Sequence, residues 1–103
     1  MRTYISLIRY TEQGVKTFKE LSQRIEETKT AGEAAGEVVG ATLVGYYLTM
    51  GQYDAVAISE APDEHTIATL ALAAGARGNV RTETMRAFTE EEAKKIAAEL
   101  SES

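Results

Sequence analysis

The sequence predicts an α+β protein with a ferredoxin-like fold, a four-stranded antiparallel sheet with two helices on one face. Strand-type and helix-type apolar patterns follow one another in the order β-α-β-β-α-β, which is the split βαβ arrangement. The two middle strands are too close together for any connection except a hairpin. A chain of 103 residues has the length of one domain. We therefore expect one domain over residues 1–103, with a frayed tail at 101–103 and a helix before it.

The N-terminal part predicts a strand followed by an amphipathic helix. Thr3–Arg9 is short and rich in β-forming residues. Thr11 can cap the following helix, and Glu12 is favourable near a helix N-terminus. The apolar residues at helical spacing are Val15, Phe18, Leu21 and Ile25. Gly32 and Gly36 weaken the pattern, so we expect the helix to end between them.

The sequence GQYD joins two apolar runs, residues 41–50 and 53–60, which predict the second and third strands. Gly51 supplies the positive φ angle that a tight hairpin needs. Asp54 can accept hydrogen bonds from neighbouring backbone amides, and Tyr53 can lay its ring across the end of the sheet with its hydroxyl in water or against a partner. In an alternative interpretation, this carboxylate and this phenol face a ligand.

A second helix and a fourth strand follow the hairpin. Pro62 stops the third strand, and Asp63 is a good N-cap. Helical spacing relates Ile67, Leu70, Ala71 and Ala74. Residues 75–79 predict the loop that ends this helix, and residues 80–88 predict the fourth strand.

The C-terminal residues predict a further helix. Thr89–Glu92 reads TEEE, a capping box in which the threonine hydroxyl and the glutamate carboxylate satisfy each other's backbone amides. The apolar residues that recur at helical spacing after it are Ala93, Ile96, Ala97 and Leu100.

The strands carry apolar residues on both faces, whereas a sheet with one wet face should alternate apolar and polar residues. In the third strand Val56 and Ile58 oppose Ala55 and Ala57. The other opposed sets are Ile5 and Leu7 against Tyr4 and Ile8 in the first strand, and Val44, Tyr46 and Leu48 against Leu43 and Tyr47 in the second. Helices on one face leave the other bare, so we expect sheet-to-sheet pairing into a homodimer or a higher even oligomer.

Small side chains allow a pocket on that bare face. If Val56 and Ile58 take the helix side, the residues that face away from the helices are Gly45, Ala55, Ala57 and Ser59. A cavity there, lined by Tyr47, Tyr53 and Met85, would suit an apolar or aromatic small molecule. A close-packed interface without a cavity is the alternative.

Composition excludes several classes of site. The chain has no cysteine, which rules out disulfides and thiolate chemistry. A net charge of -5 argues against nucleic-acid binding, and the absence of a long apolar run or signal-type N-terminus leads us to expect a cytoplasmic protein without membrane partners. His65 is the only histidine and sits alone in a first helical turn, so no metal is expected. The glycine spacing indicates no nucleotide, and we expect no cofactor.

Three segments together resemble a known family: TYISLIRYTEQGVKTFKE, GYYLTMGQYDAVAISEAPDE and GNVRTETMRAFTEEE. They are similar to GYD-domain proteins, named for a Gly-Tyr-Asp signature that reads here Gly51-Gln52-Tyr53-Asp54. The resemblance covers nearly the whole chain and implies a dimeric α/β barrel, but no particular reaction. More distantly, the hairpin resembles the effector-binding domain of Lrp/AsnC regulators, and the superfamily also includes cofactor-free monooxygenases and lactone isomerases.

Three functional hypotheses stay open at this point. The first is a small-molecule-binding homo-oligomer with its pocket on the helix-free face or at the dimer interface. The second is a cofactor-free oxygenase or isomerase in which Tyr47, Tyr53 or Asp54 handles protons. The third is a structural or partner-binding dimer, since no catalytic cluster is evident.

Overall fold

The computed structural model of this chain describes residues 1–16 and 41–102. The elements within them are β1 (Arg2–Tyr10), α1 (Glu12–Lys16), β2 (Thr42–Leu48), β3 (Ala55–Ala61), α2 (Glu64–Ala76), β4 (Val80–Ala87) and α3 (Glu90–Glu102). The predicted helical positions Phe18, Leu21 and Ile25, and the helix end between Gly32 and Gly36, lie outside the described residues.

The four strands form one antiparallel sheet in the order β2-β3-β1-β4. β1 and β3 are therefore central, and the predicted α+β, ferredoxin-like fold class is confirmed. Directly opposed residues in antiparallel strands share a face of the sheet. The pairings Tyr4 with Ser59 and Ile8 with Ala55 put these four side chains on one face, which we call the covered face. The opposite face is called the open face.

α2 packs on the covered face. Asp63 caps it, because its Oδ1 accepts hydrogen bonds from the backbone N–H of Thr66 at 2.9 Å and from the Thr66 hydroxyl at 2.8 Å. Ile67 is buried and packs in one cluster with Tyr4 and Ala61. The helix continues to Ala76, so the loop begins later than the glycine at position 75 predicts.

The face assignment of β3 is the reverse of the one that the small-residue prediction required. Ala55 and Ala57 are buried on the covered face, while Val56 and Ile58 lie on the open face and are only half-buried. The prediction that small residues line the bare face is therefore wrong for Ala55, Ala57 and Ser59. Both faces are apolar, as expected, and in β3 the larger side chains lie on the uncovered one.

A bulge in β2 also changes its predicted faces. The register shifts between Leu43 and Gly45, so that Val44 is the extra residue. Leu43 and Tyr46 consequently lie on the same covered face and pack against the same cluster as Ile8. The prediction that Leu43 and Tyr46 point to opposite faces is wrong, because strict alternation fails at a bulge.

α3 begins with the predicted capping box. The backbone N–H of Thr89 donates to Glu92 at 3.0 Å, and the backbone N–H of Glu92 donates to the Thr89 hydroxyl at 3.2 Å. The helix extends through Glu102, beyond the start of the predicted tail. Residues 93–100 are all exposed, including Ile96 and Leu100, so α3 does not cover the open face.

Candidate functional site

The hairpin loop is held by local backbone contacts. Gly51 has a φ angle of 105°, a region where a side chain would be strained. The Thr49 hydroxyl donates to the Tyr53 carbonyl at 2.6 Å, and the Thr49 N–H donates to the Asp54 carbonyl at 2.8 Å. The loop is thus closed by its own backbone between the strands, with the glycine at its tip.

Asp54 fastens this loop to β1. Its Oδ2 accepts a hydrogen bond from the backbone N–H of Tyr10 at 2.8 Å, and its own N–H donates to the Ile8 carbonyl at 2.8 Å. A hydrogen bond from a backbone amide to a partly buried carboxylate stabilises the folded state. The aspartate of the GQYD sequence therefore has a structural contact that reaches 44 residues back along the chain.

Tyr53 reaches across β1 towards β4 on the open face. Its hydroxyl donates to Glu83 Oε2 at 2.5 Å, and the Arg9 guanidinium lies 5.0 Å from the ring centre. The hydrogen bond to Glu83 is the main cause that raises the pKa of Tyr53, with desolvation and the Glu83 charge adding to it. The phenol is accordingly a donor at neutral pH, which does not favour it as a general base.

The centre of the open face is a block of apolar side chains, which we call the apolar block. Two rows run across the sheet on this face, one from Tyr47 through β3 and β1 to Glu83 and the next from Gly45 to Met85. The block consists of Ile5, Leu7, Tyr47, Val56, Ile58 and Met85. Tyr47 is 62% exposed and Met85 is 42% exposed. Apolar patches of this kind are typical of surfaces that contact another molecule.

The two ends of the open face differ in charge. Arg9 and Arg81 are directly opposed at the end next to the hairpin, and both are exposed. Glu83 lies beside them and offsets one of the two positive charges. Glu60 lies at the far end, paired with Thr3 of β1. The apolar block is therefore flanked by a positive end and a negative end.

Of the four predicted ligand-binding residues, the structure brings three to the open face. Tyr47 and Met85 are part of the apolar block, and Tyr53 crosses the positive end of the open face. The Asp54 carboxylate instead bonds the β1 backbone. Arg81 and Glu83 share the open face, and the Glu83 carboxylate accepts its hydrogen bond from Tyr53.

A cavity of about 390 Å³ lies on the covered face, between α2 and the sheet. The sheet contributes Ser6, Ile8, Ala57, Ser59 and Thr82, among others, and α2 contributes Ile67, Leu70, Ala71, Ala74 and the residue that follows it, Arg77. Small residues face small residues across this gap, so the two layers do not fill it. The predicted pocket was on the opposite face, and sequence reasoning missed Arg77, Ser6 and Thr82.

Other candidates carry no chemistry in the part of the chain described. His65 is exposed in the first turn of α2, and its carbonyl accepts from Thr69 at 2.9 Å. No group of three potential metal-ligating side chains occurs in residues 1–16 and 41–102. Within the same residues, none of the helices combines the length and the apolar character that crossing a bilayer requires.

The comparisons with known proteins agree with the hairpin and the sheet. The GYD domain family model matches residues 4–97, almost the whole chain. The chain belongs to the GYD domain family. A similar protein is the glutamine synthetase and cystathionine beta-lyase binding protein of Thermus thermophilus, which is 34% identical over 88 residues, 85% of this chain and 90% of the relative. No solved structure matches the chain significantly.

Proposed function

We propose that this GYD-domain protein is a protein-binding module that works as a homodimer paired through the open face. The observation that carries the proposal is the apolar block, whose large side chains lie half-buried or exposed in the single chain. An interface of ordinary size covers about 800 Å² on each partner, and a four-stranded sheet is broad enough to supply it. Pairing of two such sheets gives the dimeric α/β barrel.

Charge on the open face favours one arrangement of the two copies. A two-fold axis parallel to the strands would bring like ends together and set Arg81 near the partner's arginines. An axis perpendicular to the strands, lying between the sheets, brings opposite ends together, so that the positive end of one copy faces the negative end of its partner. Because like charges across an interface are costly, the second arrangement is favoured.

The relative's name supports binding of other proteins. That protein is described as binding glutamine synthetase and cystathionine beta-lyase. With the open face occupied by a second copy, the exposed apolar stripe of α3, with Ile96 and Leu100, is the surface left for an enzyme partner. An amphipathic helix docks its apolar face into a groove of its target.

Self-association is tested by replacing a central residue of the apolar block. Leu7→Lys places a charge in the interface and should convert a dimer to a monomer in sedimentation velocity at micromolar concentration. Leu72→Lys is the matched control, because Leu72 is 75% exposed on α2, away from the open face. A wild-type protein with the mass of one chain would overturn the dimer.

Enzyme binding is tested with purified glutamine synthetase and cystathionine beta-lyase from the protein's own host. We expect saturable binding of at least one enzyme by biolayer interferometry, and Ile96→Lys should weaken it by about tenfold or more while the dimer mass stays unchanged. Leu72→Lys again serves as the control. Binding of neither purified enzyme would contradict the role taken from the relative.

Small-molecule binding is a second candidate function, which the cavity on the covered face favours. Its volume lies within the range typical of ligand pockets, and it combines an apolar lining with a few hydroxyls. The oxygenase or isomerase hypothesis has no comparable support, since Tyr53 and Asp54 are both engaged in hydrogen bonds within the described residues.

A further inference from the structure

The cavity on the covered face has an apolar end and a polar end. Ile67 lies towards the start of β1 in the buried cluster of Tyr4, and Leu70 packs against that cluster. Arg77 and Thr82 lie towards the other end, where Thr82 pairs with Ile8. A molecule that fits both ends must be apolar along its body and polar at one terminus.

The polar groups at the second end have no protein partners in the described part of the chain. The Arg77 guanidinium forms no hydrogen bond or ion pair there, and the Thr82 hydroxyl likewise forms none. Ser6 differs, since its hydroxyl is bonded to Thr84 at 2.9 Å. A guanidinium presents several donors in a fork that matches a carboxylate. The Arg77 guanidinium and the Thr82 hydroxyl are therefore suited to bind an anion that has oxygen acceptors.

Small side chains line both walls of the cavity within the described residues. Ala71 and Ala74 of α2 face Ala57 and Ser59 of β3, so neither side supplies the bulk that would close the gap. Cores are normally packed with few voids larger than a water molecule. A gap of about 390 Å³ that combines apolar walls with unpaired donors has the character of a ligand pocket.

We infer that the cavity between α2 and the sheet binds an amphipathic monocarboxylate, with its apolar chain along Leu70 and Ile67 and its carboxylate at Arg77 and Thr82. This inference rests on the second candidate function and specifies its ligand class. Arg77 supplies the charge recognition, and Thr82 supplies a hydroxyl donor beside it.

Isothermal titration calorimetry on the full chain with three probes of equal chain length tests this assignment. The probes are octanoate, octanol and octylamine. We expect octanoate to bind roughly fivefold to tenfold more tightly than octanol, because a partly exposed charge-assisted hydrogen bond increases affinity by about this factor. Octylamine should bind most weakly, because its positive charge is repelled by Arg77. Arg77→Gln should remove the advantage of octanoate and leave octanol binding unchanged. Lys95→Gln, which removes one positive charge from the exposed surface of α3, is the matched control and should change neither affinity.

A cavity-filling variant separates the two parts of the proposal. Ala71→Leu projects into the gap from α2 and should abolish binding of octanoate and octanol alike, whereas Ala68→Leu, exposed on the same helix, should preserve both. Circular dichroism checks that each variant folds. Equal affinities for octanoate and octanol, unaffected by Arg77→Gln, would overturn the carboxylate class while leaving small-molecule binding in place. Binding of none of the probes would overturn both.

Discussion

In the central strand β3, the covered and open faces of the sheet differ in side-chain size, and the larger side chains lie on the face without a described helix. In β3, Ala55 and Ala57 lie under α2, while Val56 and Ile58 lie on the face that no described helix covers. The small residues leave a cavity, and the large ones leave an exposed apolar block. Side-chain size in β3 therefore does not follow the cover that the described helices provide, whereas β1 places Tyr4 and Ile8 on the covered face.

This difference indicates which kind of molecule each face can bind. A face with a gap beneath a helix can accept a small molecule, since the gap has walls on two sides. A broad face of large apolar side chains needs another broad surface, because only an extended layer removes it from water. The two binding roles proposed above thus belong to opposite sides of the same four strands.

The largest expected effect compares two adjacent residues on opposite faces. Tyr4→Ala removes a side chain that is 2% exposed and should lower the free energy of unfolding by about 3–5 kcal/mol. Ile5→Ala, on the open face, should cost about 1–2 kcal/mol at protein concentrations where the dimer dissociates. Urea denaturation measures both. Equal losses at high dilution would show that the open face is buried within the single chain.

A charge exchange sharpens the description of the open face. Glu60→Lys and Arg81→Glu should each weaken self-association about tenfold or more, because each places like charges together twice in a symmetric dimer. In a mixture of the two variants, the end that carries the introduced lysine faces the end that carries the introduced glutamate, and the end that keeps Arg81 faces the end that keeps Glu60. Sedimentation equilibrium should therefore show a heterodimer from two weakly associating chains. Failure of the mixture to associate would contradict the perpendicular two-fold axis, while the Leu7→Lys result tests the dimer itself.

The link between the hairpin and β1 should matter less than the core. Asp54→Ala removes the acceptor for the Tyr10 N–H and should lower the free energy of unfolding by about 1–2 kcal/mol. Asp54→Asn should cost less, because the amide oxygen can still accept this bond. Neither variant should change the dimer mass. If Asp54→Asn instead abolished a measured turnover while the protein stayed folded, Asp54 would again be the candidate proton-transfer group of the enzymatic hypothesis.

The smallest effect concerns the N-terminus of the covering helix α2. The backbone N–H of Thr66, and then its hydroxyl, hold the pKa of Asp63 below its ordinary value. A folded pKa below the unfolded one means that the stabilisation is complete above the unfolded pKa and is lost as the pH falls through the folded one. Asp63→Asn should therefore give a flatter acid titration of helical circular dichroism than the wild type. Superimposable acid titrations would contradict the assignment.

Local features of this fold could be predicted from the sequence because they depend on neighbouring residues. The capping box of α3 and the Asp63 cap of α2 are such cases, since donor and acceptor lie three residues apart. The candidate site could be predicted only in part. Tyr47, Tyr53 and Met85 were expected at one surface, but the Arg77 cavity needed the packing of α2 against the sheet, which no short pattern encodes.

The sequence by itself determined that the strands are apolar on both faces and that a hairpin separates two of them. Only the tertiary structure decided which face the helix covers. The physical reason is that a period of two is unchanged when the two faces are exchanged, so apolar residues on both sides carry no direction. The bulge at Val44 and the hydrogen bond from the Tyr10 N–H to Asp54 likewise belong to the tertiary structure, because each depends on pairing between strands that a local pattern does not encode.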